Sequence, residues 1–313
     1  MANICIIGAG ALGRFLAFIL HNVSYENPDQ RINVKLIAKS NFEDIHKKGI
    51  TVIEHDKNGN ILEYHAKIPV SLDYASIKGS DFVIIATKAY DTDNVIKKIL
   101  PHMNGKECVV TFQNGLTPID SMKKSGISHY GHGITSHGFS SISPTVTEHR
   151  GAGKTRLGGD EKVRELVEIL NKASMPSFFS ENIERDMWVK AIVNNSINTV
   201  TAINGIKNGD VLIEKYLYMA EKLCEEAVDC AVREGFNIGK EEMMIEIKEV
   251  ASNTQDNISS MLQDINKGRK TEIDSITGYL IEKGVTHGLK MKYTRNIYAA
   301  VKKLVCVNNL STR

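Results

Sequence analysis

Cysteine is too sparse and too scattered in this sequence to build a disulfide framework. The five thiols, Cys5, Cys108, Cys224, Cys230 and Cys306, are odd in number and include no C-x-x-C pair. That excludes a stapled secreted scaffold and predicts reduced thiols. Charge of one sign is equally scarce: the formal net charge is +2, and no run of five or six like charges occurs. Nothing in the electrostatics therefore favours nucleic acid or an anionic membrane as a partner. Long apolar stretches are missing too, none reaching the ~18–20 residues that span a bilayer. The opening residues Met1-Ala2-Asn3-Ile4-Cys5-Ile6-Ile7 run straight into an apolar strand, without the basic segment, apolar core and cleavage site of a secretory leader. A cytoplasmic protein is expected. His129, His132 and His137 have no carboxylate or cysteine at ligand spacing, so no metal is expected.

What is present is an ordinary globular composition, 42% hydrophobic and 24% charged over 313 residues, enough for about two domains. The first half alternates short β-rich runs (residues 4–7, 33–38, 81–87 and 107–112) with helical stretches (11 to about 24, 93–100 and 117–124). Strands apolar throughout and separated by helices predict a parallel sheet covered on both faces, an α/β Rossmann-type domain. Residues 49–70 read as an inserted hairpin turning at Lys57-Asn58-Gly59, and a second β-rich stretch covers 129–157. A helix near 161–172 and a strand near 177–179 follow, and beyond Glu181 the pattern is helical. The boundary is placed near residues 180–183, giving an N-terminal domain of 1–181 and an all-α C-terminal domain of 182–313.

Gly8-Ala9-Gly10-Ala11-Leu12-Gly13 matches G-x-G-x-x-G directly after a strand and at the start of a helix, the context that makes the motif a dinucleotide site. Gly8 permits the tight turn, Gly10 the approach of a pyrophosphate, and Gly13 close packing of helix on strand. The helix N-terminus adds unpaired N–H groups and partial positive charge. The second strand ends Leu36-Ile37-Ala38-Lys39, with a cation where an NAD site carries the carboxylate that holds the ribose 2′-hydroxyl. NADP is therefore favoured, the alternative being a solvated loop lysine beside Glu43 and Asp44. Two further strand-end turns are Thr87-Lys88-Ala89-Tyr90 and Gln113-Asn114-Gly115. Lys88 suits a cofactor phosphate or ribose and Asn114 a substrate or nicotinamide amide, although Asn-Gly is also a common turn dipeptide.

In the second half Lys190, Asn194 and Asn198 are spaced four apart, on one face of a helix that carries no charge from Ala191 to Ile206. Such a helix is expected to be largely buried. A buried lysine flanked by amides needs a partner: a polar ligand, or failing that an internal hydrogen-bond network from which the lysine snorkels. Further on, Ile258, Met261, Leu262 and Ile265 form an apolar stripe closed by Gly268, and Thr271 stands to cap a following helix with Glu272 in its first turn. Cys224 and Cys230 read as small core residues.

Taken together, these residues resemble the ketopantoate reductase (2-dehydropantoate 2-reductase) family over nearly the whole chain. The carriers are the glycine fingerprint, Thr87-Lys88-Ala89-Tyr90, Gln113-Asn114-Gly115, Trp188-Val189-Lys190 with Asn194 and Asn198, and the stretch from Asn257-Ile258-Ser259-Ser260-Met261 to Lys270-Thr271-Glu272-Ile273-Asp274. The resemblance implies a Rossmann-type domain followed by a helical domain like the C-terminal one of 6-phosphogluconate dehydrogenase. It also implies NADPH-dependent reduction of ketopantoate to (R)-pantoate, on the route to pantothenate and coenzyme A. By the same resemblance Lys190 is the general acid and Glu272 binds and orients substrate. Asn114, Asn194, Asn198 and Ser260 line the substrate, and Lys88 lies near the cofactor. Members often carry arginine where this chain has Lys39, which supplies charge without the bidentate fork. The competing expectations are a dehydrogenase for another small branched 2-keto or hydroxy acid, and a non-catalytic NADP-binding sensor. Lys190 and Glu272 argue against the sensor, which has no need of a proton donor. A small-molecule substrate and a monomer or homodimer complete the expectation.

Overall fold

Successive residues of the first strand, β1 (Ala2–Ile7), serve opposite faces of a sheet. Ile4 and Ile6 join one apolar cluster, and Cys5 and Ile7 another. That is why the strand is apolar at every position from Ile4 to Ile7: its two-residue period meets a buried layer on each side. The computed structural model describes residues 2–26, 31–56 and 58–311, so Lys57 of the expected hairpin turn lies outside the described residues. By its contacts the chain divides into two compact units, Met1–Gln113 with Pro118–Glu184, and Asn114–Thr117 with Arg185–Arg313.

In the first unit β1 is followed by α1 (Ala11–Glu26), β2 (Ile32–Ile37), α2 (Phe42–Lys48), β3 (Ile50–His55), β4 (Ile61–Ala66), β5 (Val70–Ser71), β6 (Phe82–Ile85), α3 (Thr92–Ile99) and β7 (Cys108–Thr111). Then come α4 (Thr117–Lys124), β8 (Tyr130–Thr135), β9 (Gly138–Ser141), β10 (Val146–Gly151), β11 (Thr155–Gly159), α5 (Val163–Lys172) and β12 (Ser177–Phe179). Eight strands form one sheet in the order β12-β11-β8-β7-β6-β1-β2-β5. From β5 to β8 neighbours are parallel; β11 reverses against β8, and β12 runs parallel to β11. The chain leaves β1 for β2 on one side and returns to β6 on the other, a topological switch point where ligands bind outside the strand ends. Gly8, Lys39, Thr87 and Gln113 follow the parallel strands β1, β2, β6 and β7, so they crowd one edge of the sheet.

Two features lie outside the sequence expectation. The predicted hairpin (β3, β4) and part of the later β-rich stretch (β9, β10) join into a separate four-stranded sheet, β4-β3-β10-β9. The joint is a parallel pairing of Thr51 with Val146 through Ile53 with Glu148, a long-range contact with no local signature. The short α2 also intervenes. Its Glu43 and Asp44 occupy the first turn and His46, Lys47 and Lys48 the last, matching the helix dipole. Glu43 pairs with Lys47 and Asp44 with Lys48 along the helix, so these carboxylates are engaged within α2.

The second unit is helical: α6 (Ile183–Asn204, all but its first two residues), α7 (Glu214–Arg233), α8 (Lys240–Asn253), α9 (Ser260–Asn266), α10 (Tyr279–Thr286) and α11 (Lys292–Ser311). From Ala191 to Ala202 every residue of α6 except Asn194 is buried, as its lack of charge predicts. Trp188 packs on Phe236 and Tyr279. Between α9 and α10 the chain makes one π-helical turn, Asp274–Gly278. Such turns are frequent at functional sites.

Candidate functional site

In the first unit the glycine turn divides into positions the protein explains and one it does not. A Cβ on Gly13 would collide with the Gly8 carbonyl, and one on Gly8 would stand 2.8 Å from the Thr87 backbone nitrogen. Gly8 also holds a φ of +112°, which side-chain-bearing residues avoid. Gly10 is exposed and a Cβ there would meet nothing closer than Ala86 O at 3.9 Å. Its bareness serves something that approaches from outside, as a pyrophosphate does at the start of α1. Ala9 is buried beneath the turn, and Ala11 and Leu12 are half-buried in the first turn of α1.

The neighbouring strand ends are held rigidly. Gly8 N–H donates to Ile37 O (2.9 Å) and Ala86 N–H to Ile7 O (2.8 Å). The Gln113 amide donates to Thr87 Oγ1 and Lys88 O, each at 3.0 Å. Lys88 is thus fixed through its backbone, with its side chain half-buried, whereas Lys39 is exposed just beyond β2. Sequence reasoning missed Arg14, the first residue after the fingerprint. Its guanidinium is fully buried, donating to Thr147 Oγ1, Ser141 Oγ and the carbonyls of Ala9, Pro144 and Val146. Burial pulls it down to about 10. It ties the glycine turn to the small sheet. An arginine following glycine in a helix gives no hint of that role.

The histidines turn to other work: His129 pairs with Asp160 (2.7 Å), His132 meets Thr111 (2.8 Å), and His137 meets His149 (2.9 Å). Among the described residues no group of histidine, cysteine and carboxylate side chains has the arrangement of a metal site. Cys224 and Cys230 are buried, their thiols pushed up to about 12 by desolvation, which makes them poor nucleophiles.

In the helical unit α6 carries Lys190 and Asn194, both half-buried, and Asn198, which is buried. Burial pulls the Lys190 amine down to about 8, while the Glu272 carboxylate pushes the other way. Glu272 is buried and stands just before the π turn. Asn114 donates to its Oε2 at 3.2 Å, and the loop that carries Asn114 is pinned by Leu116 N–H to Ser275 O at 2.9 Å. A Cβ on Gly115, whose φ is +88°, would strike the Ser275 carbonyl. Asn114, Glu272 and Lys190 therefore form one constellation. Ser260 is exposed in the first turn of α9, where its neighbour Ser259 is the N-cap and receives Thr201 Oγ1 at 2.7 Å. Among the described residues no hydrogen bond joins Ser260, Asn194 or Asn198 to Lys190, Glu272 or Asn114. Asn195 also escaped the sequence reading. It is wholly buried, and its Oδ1 accepts from Thr277 in the π turn at 2.9 Å.

Comparison with known proteins bears on this arrangement. Residues 4–161 match the family model described as ketopantoate reductase PanE/ApbA, and residues 182–305 the one described as its C terminal. A 2-dehydropantoate 2-reductase of Pyrococcus horikoshii is 33% identical, over 96% of each chain. One of Archaeoglobus fulgidus is 28% identical, over 95% of this chain and 96% of that one. Among solved structures, a PanE/ApbA family ketopantoate reductase from Ralstonia eutropha shares the fold at a TM-score of 0.88 and 22% identity, covering 98% of this chain and 99% of that one. D-mandelate dehydrogenase, solved with NADH and anilino(oxo)acetate, does so at 0.88 and 24%, with the same coverage. The chain belongs to the ketopantoate reductase family and is an oxidoreductase acting on a CH–OH group.

Proposed function

We propose that the protein catalyses the NADPH-dependent reduction of 2-dehydropantoate to (R)-pantoate, the step leading to pantothenate and coenzyme A, in the cytoplasm. The observation that carries the reading is the Lys190 amine at the start of the uncharged stretch of α6, influenced by a Glu272 carboxylate that Asn114 holds. The residues of the first unit fit a dinucleotide: an open Gly10, the free N–H groups at the start of α1, and lysines after β2 and β6. The turn 8–13 would hold the pyrophosphate, Lys39 the ribose phosphate and Lys88 the neighbouring ribose or phosphate. A nicotinamide dinucleotide bound there supplies the hydride.

Lys190, mostly ammonium at neutral pH with its value near 8, donates a proton to the alkoxide oxygen that develops on the substrate. It regains that proton from water. A positioned acid of this kind contributes ~10²–10⁴-fold. Glu272 keeps the amine protonated against the pull of burial and would accept from the substrate hydroxyl. Asn114, Asn194, Asn198 and Ser260 would bind the substrate carboxylate and carbonyl, the amides donating through N–H and accepting through their carbonyls. Loss of NADPH absorbance on adding ketopantoate to the pure protein tests the reading, run beside ketoisovalerate and other short keto acids. Turnover confined to one of the others would transfer the assignment to that substrate. That second reading, a dehydrogenase for another branched 2-keto or hydroxy acid, is favoured by the D-mandelate dehydrogenase likeness. Absence of turnover with every acid, together with tight NADPH binding, would favour a sensor.

A further inference from the structure

The end of β2 carries one lysine in the sequence pattern and two in the structure. The β5 strand pairs with β2, Leu36 with Val70 and Ile37 with Ser71. The 3₁₀ turn Tyr74–Ile77 that follows β5 therefore begins beside the C-terminal end of β2. Helix α3 buries Val95, Ile96 and Ile99. Lys98, flanking that face, is held half-buried while Lys97 points to solvent. The Lys98 amine lies over the Tyr74 ring, 5.4 Å from its centroid. From there it comes within hydrogen-bonding reach of the Lys39 amine, with Asp91 acting on both from a distance. Neither lysine is in ion-pair contact with a carboxylate among the described residues.

Two ammonium groups facing each other repel, and their contact splits them: Lys39 holds its proton more tightly and Lys98 less. An anion set between them removes the conflict, because each amine then donates to an oxygen and repulsion becomes shared attraction. We propose that Lys98 is a second phosphate ligand at the adenosine end of the cofactor, closing with Lys39 on a ribose 2′-phosphate and thereby setting the preference for NADPH over NADH. Two converging point charges replace the planar fork that a single arginine would offer. The hydroxyl of NADH, neutral and smaller, leaves the pair unrelieved. This inference rests on the NADPH reading above.

The test is the ratio of NADPH to NADH affinity in the full-length wild type, in Lys98→Gln and Lys98→Arg, and in Lys39→Gln. One charge-assisted hydrogen bond corresponds to about tenfold in binding. Lys98→Gln is expected to weaken NADPH by about that factor while NADH changes less than about twofold, and Lys98→Arg to keep the wild-type ratio. The retained NADH affinity itself reports that the variant is folded. Lys39→Gln should behave as Lys98→Gln does. A wild type that prefers NADPH, with Lys98→Gln leaving the ratio unchanged, would overturn the role of Lys98 and spare the NADPH reading. A wild type with no preference would overturn both. A Lys98→Gln that weakens both cofactors equally would make the residue structural.

Discussion

A lysine amine that titrates near 8 instead of near 10.5 stands close to the pH at which the proposed reaction changes hands. Reduction of the ketone consumes a proton, so it needs Lys190 charged. Its rate should fall as pH rises through about 8. Oxidation of the alcohol needs the neutral amine and should rise over the same interval. A pH profile of kcat in each direction checks this, and a flat profile across that interval would remove Lys190 from the proton transfer. Lys190→Ala is expected to lower kcat by ~10²–10⁴-fold with NADPH binding retained. The sign for Glu272 follows from its charge: the carboxylate raises the lysine value, and burial opposes it. Glu272→Gln should therefore move the falling limb of the reduction profile to lower pH. A limb that stays in place would mean that Glu272 serves the substrate alone.

At the scale of elements, two short segments set what the long ones present. The π turn Asp274–Gly278 leaves the Ser275 carbonyl to accept from Leu116, outside its own helix. This fixes Asn114 against Glu272. Gly115 makes the close approach possible, and with φ at +88° a substituted residue would be strained even before the clash. Gly115→Ala is expected to lower kcat at least about tenfold, as a misplaced positioning group does, with little change in NADPH affinity. Amide hydrogen exchange at Leu116 should accelerate in the same variant, and unchanged protection there would break the link. In the first unit Arg14 plays the corresponding part, joining the glycine turn to the small sheet through hydroxyls and carbonyls only. Arg14→Met strands those acceptors in a dry interior at ~1–3 kcal/mol for each left unpaired. We expect a loss of about 3 kcal/mol or more in denaturant unfolding, and a loss under about 1 kcal/mol would show that the site is wetter than its burial indicates.

For the molecule as a whole, legibility followed the range of the interactions. Ile4 to Ile7 announced a strand because both its faces are covered, and Ala191 to Ile206 announced a buried helix because nothing in it is charged. The short α2 was silent, since with only Ile45 buried it has no periodicity to detect. The pairing of Thr51 with Val146, the π turn and the approach of Lys98 to Lys39 were silent as well. Each depends on residues that only folding brings near. The same holds for the excursion of Asn114–Thr117 into the helical unit, which the sequence presents as an ordinary turn after β7. This excursion carries the last prediction. The chain passes between the units after Gln113, after Thr117 and after Glu184, so unfolding of the first unit pulls on a loop bonded within the second. Trp188 is the only tryptophan and is buried in the helical unit, where its fluorescence reports the melting of that unit alone. On the proposed NADPH reading adenosine 2′-monophosphate would bind the first unit, and a ligand at a hundred times its Kd stabilises the unit that holds it by about 2.7 kcal/mol. If the threaded loop couples the units, the Trp188 midpoint rises with this nucleotide in the wild type and rises less in Gly115→Ala, whose loop is displaced from Ser275. A Trp188 midpoint indifferent to the nucleotide in the wild type would mean that the units melt independently, and that the loop positions Asn114 without transmitting stability.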